Sequence, residues 1–264
     1  MIVAEALRAL EAREARLLLA RATGFSEASV LAHPERELPA QAEAQFREFA
    51  ARRARGEPIA YILGEKEFYG LPLAVNASVL IPRPETELLV ELALACAPTS
   101  VLDLGTGSGA IALVLKRQLP HARVVAVEAS AGALALARRN ATKLGLEVDL
   151  RHGRWFDPVP GARFDVVVSN PPYIAEDDPH LAEGDVRFEP RDALVGGPDG
   201  LEAIREIVRG APAHLEPGGR LLLEHGLGQD EAVRSLLLEA GLEGVTTWPD
   251  LAGIARVTGG RLKC

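Results

Sequence analysis

Val101-Leu102-Asp103-Leu104-Gly105-Thr106-Gly107-Ser108-Gly109-Ala110 decides the fold of this chain. A short apolar run ends in three alternating glycines and passes directly into a helix-forming segment, residues 110–118. Such a strand-to-helix turn needs glycine because the backbone bends sharply, comes close to a ligand, and lets strand and helix pack without an intervening Cβ. Working outward, short apolar or β-branched runs recur at 124–128, 148–151, 164–169 and 220–224. Helical stretches at 131–144, 201–214 and 230–240 separate them. This alternation predicts an α/β fold with a doubly wound, largely parallel sheet. Two last strands, 245–248 and 254–257, are joined too closely for a helical crossover and so predict an antiparallel closing edge.

Upstream, the periodicity is helical. Val3, Leu7, Leu10, Leu17 and Leu18 suggest one helix over 2–22, closed by Gly24; a short helix is expected over 26–32. After Pro39, Ala42, Phe46, Phe49 and Ala50 share a face. Residues 1–57 therefore read as a small helical bundle with nothing catalytic in it, a module for docking a substrate. Glu67-Phe68-Tyr69 and Leu73-Ala74-Val75 flank Gly70-Leu71-Pro72, so 58–83 reads as a hairpin linker. Residues 84–264 form the larger domain, whose first helix opens at Pro82-Arg83-Pro84-Glu85-Thr86-Glu87.

Composition narrows the function. The chain has 264 residues, with 29 Lys and Arg against 37 Asp and Glu, a net charge of −8. That balance argues against general nucleic-acid binding, which needs clustered cations to neutralise phosphates. Cys96 and Cys264 are too few for a disulfide framework or a cysteine-ligated zinc. His33, His121, His152, His180, His214 and His225 lack ligand spacing, so neither a metal nor a catalytic histidine is expected. No apolar stretch suits a membrane span, and Glu5, Glu11 and Glu14 interrupt any signal-like segment; a cytoplasmic monomer is the expectation.

Two segments carry chemistry. Glu128 ends its strand nineteen residues beyond Gly109, where an acid can accept hydrogen bonds from both ribose hydroxyls. The glycine loop itself leaves two ligands open: Gly105-x-Gly107-x-x-Ala110 meets the loose dinucleotide pattern, and Gly105-x-Gly107-x-Gly109 matches that of S-adenosylmethionine-dependent methyltransferases. Asp103 favours the second, since an acid ahead of the glycines suits a sulfonium and an amino group and repels a pyrophosphate. Asn170-Pro171-Pro172-Tyr173 follows the 164–169 strand, at the edge where open α/β sheets bind ligands. An amide or exocyclic NH2 is a poor nucleophile until its hydrogens are held so that the lone pair faces the methyl group. The Asn170 side-chain oxygen and the Pro171 carbonyl can each accept one N–H, the two prolines stiffen the backbone, and Tyr173 offers a flat face to a planar group.

With these residues the chain resembles the bacterial release factor glutamine methyltransferases. The likeness runs through Gly56-Glu57-Pro58-Ile59-Ala60-Tyr61-Ile62-Leu63-Gly64, Phe68-Tyr69-Gly70, Ile81-Pro82-Arg83-Pro84-Glu85-Thr86-Glu87, the glycine turn, Asn170-Pro171-Pro172-Tyr173-Ile174, Phe188-Glu189-Pro190 and Gly196-Gly197-Pro198-Asp199-Gly200. The resemblance implies a Rossmann-like class I methyltransferase with a mostly parallel seven-stranded sheet and an N-terminal helical bundle. It implies S-adenosylmethionine as methyl donor, S-adenosylhomocysteine as product, no metal, and peptide chain release factors as partners, methylated at N5 of the Gly-Gly-Gln glutamine. Catalysis then falls to Asn170, Pro171 and Tyr173. The donor site would comprise Asp103, Gly105, Thr106, Gly107, Ser108, Gly109, Glu128, Ala129 and Asn170, with Trp155 and Phe156 flanking the adenine. The substrate site would comprise Asn170, Pro171, Pro172 and Tyr173 with Phe68, Arg83, Glu85 and Glu189. Arg154 stands where the family often has an acid before Trp-Phe. The tetrapeptide is shared with DNA and RNA amino-methyltransferases, the main competing reading, against which stand Glu176-Asp177-Asp178, Glu183, Asp185 and the lack of a basic run. A nicotinamide dehydrogenase and a docking protein without catalysis are weaker readings.

Overall fold

The computed structural model describes residues 1–264, which divide into two units, Met1–Glu65 with Glu183–Phe188, and Lys66–Ala182 with Glu189–Cys264. The first unit holds α1 (Val3–Ala6), α2 (Ala12–Thr23), α3 (Glu27–Ala32), α4 (Ala40–Ala54) and α5 (Ile59–Leu63). The single helix expected over 2–22 is two helices. Glu11 turns its carboxylate onto the Arg13 and Glu14 amides and starts α2 afresh, while Leu7 and Leu10 in the break still pack on the bundle core. Gly24, at φ +74°, closes α2, and Ser26 caps α3 through the Ser29 amide. Leu18, Leu19, Val30, Phe46, Phe49 and Ile62 form the core.

A two-stranded hairpin, β1 (Glu65–Phe68) and β2 (Leu71–Ala74), comes next. It is more than a linker, because Phe68, Leu71 and Leu73 are wholly buried in the second unit's core beside Leu89 and Val90. There follow α6 (Thr86–Ala95), β3 (Ser100–Leu104), α7 (Ala110–Gln118), β4 (Arg123–Glu128), α8 (Ala131–Leu144), β5 (Asp149–His152) and β6 (Phe164–Ser169). Three short 3-10 turns lead to α9 (Glu202–His214), β7 (Leu215–Glu224), α10 (Asp230–Glu239), β8 (Glu243–Pro249) and β9 (Ala255–Arg261).

The seven strands lie in the order β5-β4-β3-β6-β7-β9-β8. The first five are parallel, and β9 runs antiparallel to both β7 and β8. Alternate residues enter opposite cores: Leu102, Leu104, Val125, Val127 and Val167 face α9 and α10, whereas Val101, Val166, Val168 and Leu222 face α6 and α7. From β3 the chain winds outward to β4 and β5, then returns to β6 on β3's other side. This reversal opens a crevice at the carboxyl ends of β3 and β6. Leu104 is in register with Ser169, whose hydroxyl donates to the Leu104 carbonyl at 2.7 Å, so Gly105 and Asn170 leave the sheet side by side. No helix is long and apolar enough to cross a membrane.

Candidate active site

The glycine turn takes left-handed backbone at Gly105, Gly107 and Gly109, φ +72°, +58° and +85°. A Cβ on Gly109 would lie 3.0 Å from Leu113 Cδ1, so this glycine serves the packing at the start of α7. Asp103 braces the turn from beneath. It is fully buried; its Oδ2 accepts from the Thr106 hydroxyl at 2.6 Å and the Ala112 amide at 3.2 Å, and Oδ1 has no partner. Burial pushes this carboxyl up to about 7. Thus Asp103, expected to meet the donor's positive charge, does not line the cleft; Thr106, Gly107 and Ser108 do. Glu128 closes the neighbouring strand, accepting the Gly107 amide on Oε2 and the Ser130 amide on Oε1, each at 2.8 Å. Each carboxylate oxygen keeps a second acceptor direction.

The aromatic pair after β5 divides. Trp155 lines the cleft, its ring 3.4 Å from where a Gly105 Cβ would stand. It holds φ +42°, and its indole N–H donates to Glu206 at 2.8 Å. Arg154 pairs with the same carboxylate at 2.8 Å and holds it below the usual range. Phe156, expected on the other side of an adenine, instead stacks on His214 with ring centres 4.5 Å apart and packs against Gly210 of α9. Its ring is half-buried and packs against the core under α9.

The Asn170 Nδ2 donates to Thr86 Oγ1 at 3.1 Å, and its buried Oδ1 has no partner. Pro172 lines the cleft beside it and Pro171 is buried. Tyr173 directs its hydroxyl to Glu224 Oε1 at 3.4 Å, its carbonyl accepts from Gln229 Nε2 at 2.9 Å, and it lies off the cleft lining. Ile174 pairs in parallel with Val195, laying the Gly196-Gly197-Pro198-Asp199-Gly200 loop over the tetrapeptide. The approach requires glycine: a Cβ on Gly196 would stand 2.5 Å from the Pro172 carbonyl oxygen, and one on Gly200 2.3 Å from that of Tyr173.

Arg83 lines the cleft and is paired with Glu189, whose buried carboxylate also accepts the Ile81 amide at 3.2 Å. Glu85 is exposed at the start of α6, outside the lining, and Phe68, 1% exposed, belongs to the core; neither joins the substrate pocket expected of it. Together Arg83, Thr86, the glycine turn, Glu128, Ala129, Trp155, Asn170 and Pro172 enclose about 580 Å³, a volume suited to one small organic ligand. Thr86, Glu224, Gln229 and the covering role of Gly196 and Gly200 are the parts that sequence reasoning missed. The only available hint was the Gly-Gly-Pro-Asp-Gly run itself.

Residues 3–64 match the family model described as the PrmC N-terminal domain, and residues 84–184 match the methyltransferase small domain. The release factor glutamine methyltransferase of Burkholderia pseudomallei is 53% identical, over 98% of this chain and 95% of that protein. That of Pseudomonas aeruginosa is 52% identical, over 95% and 92%. Among solved structures, a methyltransferase from Pyrococcus furiosus superposes with TM-score 0.59 at 20% identity, covering 81% of this chain and 98% of that one. A T. thermophilus 16S rRNA methyltransferase in complex with AdoMet and guanosine gives 0.57 at 24%, covering 75% and 50%. These two share the fold.

Proposed function

The chain belongs to the release factor glutamine methyltransferases, and from that membership we propose that it methylates N5 of the glutamine in the Gly-Gly-Gln motif of a peptide chain release factor, using S-adenosylmethionine. When bound, S-adenosylmethionine supplies an electrophilic methyl group on a positively charged sulfur. The cleft fits it: Glu128 retains acceptor capacity toward a ribose, Trp155 offers an aromatic face, and a Cβ at Gly107 would meet nothing within 4 Å, so the floor of the turn is open.

The observation that carries the proposal is the orphaned Asn170 Oδ1. A buried acceptor without a partner costs about 1 to 3 kcal/mol, and an incoming amide N–H relieves it. Because Nδ2 is committed to Thr86, the group left for the substrate is an acceptor, which is what a glutamine NH2 requires. Holding one N–H in this way, with the Pro171 carbonyl offered to the other, turns the nitrogen lone pair out of conjugation and toward the methyl group. The prolines limit backbone movement during the transfer.

Asn170→Ala tests this directly. The transfer rate falls by about two orders of magnitude or more, with donor affinity and melting temperature near those of the parent. Asn170→Asp keeps an acceptor but adds charge, and retains partial activity. An Asn170→Ala enzyme that methylates release factor at the parent rate contradicts the assignment.

A further inference from the structure

Trp155 holds a backbone conformation that its residue type disfavours. It lies at φ +42° in a turn closed by the Asp157 amide, which donates to the Arg154 carbonyl at 3.0 Å. Positive φ in such a turn belongs to glycine, asparagine and aspartate, and a bulky aromatic residue adopts it only where its surroundings fix it. Tyr69 and Ala97 are the other non-glycine residues with positive φ, and neither lines the cleft.

The surroundings that fix Trp155 are on α9. Glu206, Gly210 and His214 follow one another at intervals of four and share one face of that helix, and three consecutive residues of the turn rest on it. Glu206 accepts the Trp155 indole N–H on Oε2 at 2.8 Å, and the Arg154 guanidinium on both oxygens, at 3.0 and 2.8 Å. The Arg154 guanidinium carbon also lies 5.5 Å from the centre of the Trp155 ring. Phe156 stacks on His214 and leaves no room for a side chain at 210, where a Cβ would stand 2.5 Å from its ring. The indole is thus tied to α9 at its nitrogen end, while its far edge reaches the glycine turn, Cζ3 lying 3.4 Å from where a Gly105 Cβ would stand. A carboxylate suits this task because it can accept from the indole and the guanidinium together. Arg154 completes the arrangement, whereas an acid at 154 would repel Glu206. An aromatic face fixed before binding spares the ligand the cost of ordering it.

We propose that Glu206 is a positioning residue for the methyl donor, holding the Trp155 ring across the cleft as a preformed face for the donor's adenine. The inference rests on the reading of the cleft as an S-adenosylmethionine site, and extends that site to a residue of α9 outside the cleft lining.

The test uses S-adenosylhomocysteine as probe, with affinity from calorimetry and the emission of Trp155 as a second reading. Trp155 and Trp248 are the only tryptophans, and Trp248 packs against the core facing α6 and α7, so the full chain carrying Trp248→Phe reports Trp155 alone. Binding should quench that emission. Glu206→Leu removes both attachments, and should weaken the probe about tenfold and reduce the quench at saturation. Glu206→Gln keeps an acceptor for the indole N–H and should bind within about threefold of the parent. Trp155→Phe has no N–H to hold, so adding Glu206→Leu to it should cost nothing more. Parent affinity with full quench in Glu206→Leu, a Glu206→Gln as weak as Glu206→Leu, or losses that multiply in the Trp155→Phe, Glu206→Leu pair would each overturn the clamp. Glu128→Ala runs alongside. If it weakens the probe while Glu206→Leu does not, only the clamp is wrong; if the parent itself does not bind the probe, the clamp and the reading of the cleft both fall.

Discussion

Asp103→Asn should change how the stability of the chain depends on pH, and the structure sets the size of the effect. Burial raises this carboxyl from 3.8 to about 7. Between those values the folded chain holds a proton that the unfolded chain has released, so stability falls as pH rises through the window and the loss is complete above pH 7. The shift corresponds to about 4 kcal/mol. Glu224, raised from 4.5 to about 7, adds a fall of the same sign of about 3 kcal/mol. Asparagine does not titrate, so the variant keeps only the Glu224 part. At the acid end of the window the two should be close in stability, because the neutral carboxyl's proton and the asparagine NH2 would both stand at the Oδ1 position, where no acceptor lies. By pH 8 the variant should be the more stable, since only the parent then carries a buried charge. Urea unfolding of the donor-free proteins at pH 5, 6, 7 and 8, compared as differences between variant and parent, isolates the Asp103 share. Parallel stability curves across that range would refute the buried-carboxyl reasoning.

Other perturbations report on separate parts of the site. Glu128→Ala should weaken binding of S-adenosylmethionine by about 1 to 3 kcal/mol in calorimetry, since a charged acceptor is lost; unchanged affinity would remove Glu128 from the ribose site. Gly200→Ala forces a side chain onto backbone at φ +76° and within 2.3 Å of the Tyr173 carbonyl oxygen. Methyl transfer should slow by about tenfold or more as the tetrapeptide shifts, with donor affinity retained; a parent-like rate would show that the covering loop is dispensable. Ser130→Ala removes the side-chain cap of α8 at the Ala133 amide and should cost about 1 kcal/mol in urea unfolding, with no loss meaning that the cap is inert.

What could be read from the sequence was local. The glycine turn, Glu128 and the tetrapeptide are each short runs whose backbone demands are written in their own residues, and the strand and helix periods placed them on one sheet edge. Helices over 110–118 and 131–144 were read with their observed limits, because glycine turns and a serine cap mark them. The misreadings involve direction. Phe68 and Phe156 are aromatic residues beside functional segments, and sequence does not say which way a ring turns; Phe68 lies in the core and Phe156 stacks, half-buried, on His214. Asp103 was read as facing a ligand, yet the turn folds over it and makes it a brace. Leu7 and Leu10 kept helical spacing across a break made by Glu11, because a turn can return apolar side chains to the same core. Thr86, Glu224 and Gln229 gain their roles from partners more than fifty residues away, and nothing in their own neighbourhoods announces it.

The most direct measurement locates the transferred methyl group. Intact enzyme is incubated with labelled S-adenosylmethionine and one of four acceptors: release factor, the same factor with its Gly-Gly-Gln glutamine replaced by alanine, free glutamine, or DNA. Peptide mass spectrometry then assigns the labelled atom. One methyl group on the side-chain nitrogen of that glutamine, absent from the replaced factor and far slower to form on free glutamine or DNA, is the expected result. Label on DNA at a comparable rate, or on the release factor at any other residue, would contradict the account.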